Sequence, residues 1–244
     1  LQERKADLRW RKSEGMKFDQ RWTGSLQSIG GRLRWHCHFM QKLEDEPEIE
    51  FENMNRAYDG LRESEFDEAL FEAWKRGETG YPMVDACMRA LATGGWINFR
   101  MRAMLVSFSS YHLWLHWRRP ALHLAKDFLD FEPGIHYSQF QMQSGVTGIN
   151  SIRIYSPIKQ VADQDPKGVF LRKYLPELEN VPDKHLAQPH LMSPAEQRES
   201  GCVLGKDFPL PVVDHKTAYA EARTRMYRAK ASQEAKEEAA KVYA

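Results

Sequence analysis

Cysteine is scarce in this chain: three in 244 residues, Cys37, Cys87 and Cys202. They are widely spaced and odd in number, so they make neither a disulfide framework nor a paired Cys-x-x-Cys metal site. That usage implies a reducing, cytoplasmic setting. An excess of charge is lacking too. The formal net charge of +1 excludes a global basic footprint for nucleic acid, so a DNA site has to be a local patch. No apolar run approaches membrane-spanning length, and no charged n-region precedes an apolar h-region. No membrane partner is expected. The sequence shows no evident strand partners, no internal repeat and no second domain. The fold class implied is all-α, in one large domain with a sizeable core.

What is present is helical punctuation, most densely in residues 79–102. Thr79-Gly80 supplies a turn. Pro82 suits a first helical position, where its missing N–H is no loss. Met83, Ala86, Cys87, Ala90 and Leu91 fall on one face at helical spacing. Asp85 and Arg89, four apart, are placed to pair on another face. Gly94-Gly95 stops the helix. The next helix opens with Trp96 and carries Arg100 and Arg102 close to its start.

The remaining chain reads in order. Residues 1–25 form a weakly ordered lead-in, helical around 2–11. Residues 26–43 make the first firm helix, with Leu26, Ile29, Leu33, His36 or Cys37, and Met40 at helical intervals. Gly30-Gly31 inside it cost about 1 kcal/mol each and predict close approach of another helix or a ligand. Residues 44–62 are a polar connection, and 66–76 a short amphipathic helix. The second helix of the 79–102 stretch runs to about Trp117, where Arg118-Arg119-Pro120 ends it. Residues 122–129 are another helix, 131–155 a long irregular stretch, and 165–178 a helix. A Pro-rich segment, 181–211, wraps the surface, and 214–241 is an exposed helix. The domain reading is a lead-in at 1–25, a helical domain at 26–225 and an exposed helix end at 226–244.

The Thr-Gly-Tyr-Pro helix, Gly-Trp turn and Arg-x-Arg helix of residues 79–102 resemble the flavin-binding helical domain of the photolyase/cryptochrome family. Other segments resemble it in the same order. They are Ala73-Trp74, Trp114-Leu115-His116-Trp117-Arg118, Asp130-Phe131-Glu132, Gly145, Arg153-Ile154-Tyr155-Ser156-Pro157, residues 170–178 and residues 211–216. The match covers about residues 26–225. The order and spacing are more specific than any one motif. The resemblance implies a multi-helix domain that binds FAD. Full-length members carry an N-terminal antenna domain and a Ser-rich loop that holds the flavin phosphates. Neither is in this sequence, which begins with Leu1 and reads as a fragment. An antenna chromophore is expected only in that missing domain.

The resemblance also implies site residues. Arg102 corresponds to an arginine beside the flavin and its pyrophosphate arm, paired with an acid at Asp130. Glu132 faces the ribityl, ribose or adenine side. Trp96 belongs to the Gly-Trp turn. Phe99 holds the place of an asparagine beside the flavin, and Asn98 is shifted by one. His136 falls where the family has the residue near flavin N5, and a neutral imidazole there can donate or accept. On the substrate face Trp35 matches a stacking tryptophan. Arg32 stands in the position of a glutamate, and His36 in that of an arginine. Trp117 matches the middle member of a light-driven electron-transfer series. The position nearest the flavin falls between Tyr137 and Phe140, and the surface position falls at Ser64, which carries no electron. Tyr137, Tyr111 or Trp114 are substitutes, although core packing explains Trp114 better. No metal is expected. His36 and His38 share no helix face, and His112 and His116 lack the acid of a His-Glu-x-x-His pattern. Arg32, Arg34, Arg100, Arg153 and Lys159 would hold phosphates of lesion-containing DNA rather than read bases, and scattered solvated cations are the plainer account of them.

The leading function is light-driven electron transfer from reduced flavin to a DNA lesion, a photolyase-like lyase activity. A blue-light photoreceptor without repair is the rival, and a helical interaction module without flavin is the third.

Overall fold

Caps written in the sequence set most helix boundaries. The computed structural model describes residues 1–242. Its α-helices are α1 (Gln2–Ser13), α2 (Arg21–Asp45), α3 (Glu68–Arg76), α4 (Pro82–Gly94), α5 (Phe99–Ser107), α6 (Arg118–Asp127), α7 (Pro133–Ser144), α8 (Pro157–Gln164), α9 (Val169–Tyr174), α10 (Pro194–Ser200), α11 (His215–Ala231) and α12 (Gln233–Val242). Asp67, Asn98, Ser156, Ser193 and Asp214 each accept a backbone N–H as the residue before a helix, and Gly77, Gly95 and Gly201 close helices with positive φ. Among the described residues there is no β-strand. No helix among them is long and apolar enough to cross a membrane. The chain divides into two units. One is Leu1–Glu48 with Pro133–Ile135, and the other is Ile49–Glu132 with His136 onward.

In the first unit α2 starts before the expected residue 26. The Asp19 carboxylate accepts the Arg21 backbone N–H at 3.0 Å and its guanidinium at 2.7 Å, which nucleates the first turn. Only Leu26, Gly30 and Phe39 of α2 are buried. Ile29 and Leu33 are half exposed, so the apolar spacing makes a helix but not a sealed face. A Cβ on Gly30 would meet only the flexible ends of Lys5 and Leu1, and one on Gly31 would meet nothing. The expected close approach at both glycines is therefore not found.

In the second unit, Thr79-Gly80-Tyr81-Pro82 is fixed by its own chemistry. Asp85, fully buried, accepts from the Thr79 N–H (2.8 Å) and hydroxyl (2.6 Å), and from the Gly80 N–H (2.9 Å). It does not pair with Arg89, which reaches Glu177 at 2.7 Å. Gly80 has φ +77°, and a Cβ there would lie 2.5 Å from the Leu210 carbonyl. The Tyr81 hydroxyl donates to the Val213 carbonyl at 2.7 Å, and the Val212 N–H to the Thr79 carbonyl at 3.0 Å. The Tyr-Pro turn thus clasps the segment that leads into α11. The partly polar α4 is buried over nine of its residues because α3, α8 and α9 pack around it.

Several boundaries differ from the sequence expectation. After α5 comes one π-helical turn, Phe108–His112, and Trp114 has φ +52°, so the helix does not reach Trp117. Arg118-Arg119-Pro120 opens α6 rather than ending a helix, since Pro120 sits in the first turn, where its N–H is not needed. Most of the expected irregular stretch 131–155 begins as α7. Its alternating glutamines misled because Gln141 is buried: its amide donates to the Ile49 and Glu52 carbonyls (both 2.8 Å) and accepts the Met54 N–H (2.6 Å). The helix expected at 165–178 is instead α8 and α9, separated by Asp165 to Gly168, with Gly168 at φ +66°. The last helix is divided into α11 and α12 at Ser232, which is extended.

Candidate functional site

The implied site residues divide between the two units. In the first, Arg32, Trp35 and His36 are three to four residues apart on α2 and all exposed. Trp35 is 60% exposed, stacked on Phe39 with ring centroids 5.7 Å apart. Arg32 and Trp35 line an open cavity of about 440 Å³, floored by Gly24, Ser28 and Gly31. Small residues one turn apart leave this groove beside an aromatic ring and a cation. That arrangement suits a flat base and a phosphate.

In the second unit, Arg102 is the organising side chain. Its Nε donates to the Ile97 carbonyl at 2.9 Å, and its Nη2 donates to both Asp130 oxygens, at 2.9 and 3.0 Å. Its guanidinium lies 4.2 Å from the centre of the Phe128 ring. Backbone, carboxylate and ring together fix one orientation. Gly95 makes this possible. Its carbonyl accepts the Leu129 N–H at 3.0 Å, and a Cβ on it would lie 2.5 Å from Leu129 Cγ. A residue with a side chain would therefore push away the segment that carries Asp130. Asp130 is 52% exposed, against 23% for Arg102, so this is not the dry ion pair that the resemblance suggests. One carboxylate stays open to water or to a ligand.

Trp96 and Phe99 are also exposed. Asn98 is engaged as the α5 cap, accepting the Met101 N–H at 3.1 Å. Glu132 is half-buried just before α7, and its carbonyl accepts the His136 N–H at 2.8 Å. His136 is buried, with its Nε2 2.8 Å from the Ala121 carbonyl. A carbonyl only accepts, so Nε2 carries the proton and Nδ1 is left as an acceptor. Burial pulls the His136 pKa down to about 4, which keeps the ring neutral near pH 7.

Trp117 is fully buried and donates to Asn53 Oδ1 at 2.7 Å. The Tyr137 hydroxyl donates to a Glu50 oxygen at 3.2 Å, a proton acceptor that sequence reasoning missed because Glu50 lies 87 residues away. Phe128 was missed too, although it stands two places before Asp130. The Arg34, Arg100, Arg153 and Lys159 side chains are exposed, Arg34 in the first unit and the others in the second.

Comparison with known proteins decides what this constellation belongs to. Residues 28–228 match the family described as the FAD binding domain of DNA photolyase. The chain belongs to the photolyase/cryptochrome family. Among its relatives in that family, a deoxyribodipyrimidine photo-lyase of Alkalihalophilus pseudofirmus is 34% identical over 78% of this chain and 40% of its own length. Cryptochrome-1 of Aedes aegypti is 31% identical over 77% of this chain and 35% of its own. A bacterial class III photolyase from Agrobacterium tumefaciens superposes with a TM-score of 0.77 at 29% identity, covering 90% of this chain and 45% of that one. The chain thus spans less than half the length of these photolyase/cryptochrome relatives.

Proposed function

We propose that this chain forms the FAD-holding part of a photolyase-like flavoprotein that uses light to pass an electron to a DNA lesion. The observation that carries the reading is the oriented Arg102–Asp130 pair beside Gly95, within the span that matches the FAD-binding family. The residues fit such a group in kind. A guanidinium held by a backbone carbonyl and a carboxylate is suited to a pyrophosphate or a ring edge, and exposed Trp96 and Phe99 offer apolar contact. His136 accepts a proton-bearing edge through Nδ1, and Glu132 accepts hydroxyls. FAD supplies the redox chemistry when bound; the protein supplies orientation, burial and electrostatics. Trp35 stacks a flipped base, Arg32 holds a phosphate, and His36 lies one turn from Arg32 on the same face. Trp117 passes electrons within the protein.

The rival reading, a blue-light photoreceptor without repair, is favoured by one observation. Arg32 stands where the family's repair enzymes carry a glutamate, and the chain resembles cryptochromes as well as photolyases. Lesion-DNA binding against salt for wild type, Trp35→Ala and Arg32→Ala, with repair scored under blue light, separates the two. Repair requires Trp35→Ala to lose about 1–3 kcal/mol of binding, and Arg32→Ala to reduce the salt slope by about one unit. Three coincident curves with no repair leave the photoreceptor.

A further inference from the structure

Arg62 is an arginine with nothing to neutralise it. It is fully buried, and no ion pair to it is found among the described residues. Its Nη2 donates to the Ser144 carbonyl (3.1 Å) and Met226 Sδ (3.1 Å). Its Nε and Nη1 have no hydrogen-bond partner. The nearest carboxylate in sequence, Glu63, is engaged elsewhere: one oxygen accepts the Arg62 backbone N–H at 2.9 Å, and the other lies 3.6 Å from His116. Trp114 and Tyr111 cover the guanidinium at 4.6 and 5.6 Å from their ring centres. A ring face engages the face of a guanidinium and leaves its in-plane N–H groups unmatched.

The same pocket holds two further unmatched donors. The Tyr111 and Tyr58 hydroxyls are buried without a partner. Tyr111 Oη lies 2.5 Å from where a Gly145 Cβ would stand, beside Met226 Cε, so it faces the residues that Arg62 Nη2 touches. Burial pushes Tyr111 up to about 12 and pulls Arg62 down only to about 10. Near pH 7 the phenols keep their protons and the guanidinium keeps its charge. A guanidinium never accepts a hydrogen bond, so what is missing is an acceptor, and the unbalanced charge calls for a negative one. A cavity of about 290 Å³, lined by Tyr111, Trp114 and Arg225 between the π-helical turn and α11, adjoins the cluster. It is roomy enough to admit a small ion.

We propose that Arg62, with the Tyr58 and Tyr111 hydroxyls, forms an internal binding site for a small monovalent anion of halide type, reached through this cavity. The test uses sodium bromide as the probe, against sodium gluconate at equal ionic strength. Thermal melts of the wild-type chain should rise saturably with bromide and not with gluconate. Crystals in bromide should show an anomalous peak within hydrogen-bond reach of Arg62 Nε or Nη1. Tyr111→Phe, which keeps the ring, should weaken bromide about tenfold, and Arg62→Met should abolish the response. Coincident melts in the two salts, water in place of the peak, or an undiminished bromide response in Arg62→Met would overturn the proposal.

Discussion

Helices α4 and α2 carry similar apolar spacing and end in opposite states. Nine residues of α4 are buried, including Asp85, whereas α2, nearly twice as long, buries three. The difference lies in what surrounds each. α4 is enclosed by α3, α8 and α9, and its N-terminal turn is locked by Asp85 and by the segment at 210–213. α2 packs on α1 and leaves Arg32, Leu33 and Trp35 outward. Periodicity sets a helix; enclosure decides whether its face becomes core or a surface for something else. The most recognisable motif of the chain, Thr-Gly-Tyr-Pro, therefore serves the scaffold, and the side chains suited to a ligand sit where local rules are least demanding.

That contrast is broken most severely at Gly80. Gly80→Ala places a Cβ against the Leu210 carbonyl at a positive φ, so it should cost about 3–5 kcal/mol. Urea unfolding measures it, and a loss below about 1 kcal/mol would detach the motif from the scaffold role. A second effect comes from pH. His136, about 4 when folded, is near 6.5 when unfolded, so the unfolded state takes up the proton first as pH falls. Its contribution is fully present above about 6.5 and is lost as pH drops toward 4, by roughly 3 kcal/mol. His136→Gln should flatten melting against pH in that window, and an unchanged profile would show that the ring is not neutral by burial. The smallest effect belongs to α2. Trp35→Ala should change stability by no more than about 0.5 kcal/mol while weakening lesion-DNA binding, and a large loss of stability would make Trp35 core after all.

Much of this contrast was legible in the sequence, and the failures have common causes. The caps at Asp67, Asn98 and Asp214 and the stop at Gly95 are local chemistry, so they could be read directly. Gln141 was misread because its three partners at Ile49, Glu52 and Met54 are distant in sequence. A buried amide with distant partners looks like a polar loop residue. Asp85 was assigned to Arg89 by the four-residue rule, but three closer donors in the preceding turn outcompete it. Pairing of Arg102 with Asp130 followed from the resemblance alone. Its half-open environment did not, because exposure depends on how the segment after α6 lies against Gly95.

The account stands most directly on Arg102. Asp130 is largely solvated, so Arg102→Ala should cost only about 1 kcal/mol of stability, well short of the 3–5 kcal/mol of a buried pair. Flavin affinity should fall much further. Titration of FAD into wild type and Arg102→Ala, followed by flavin absorbance and paired with urea melts of both, reads the two quantities together. The account predicts nearly coincident melts and a binding curve displaced by more than tenfold. Equal FAD affinity in the two proteins would contradict it.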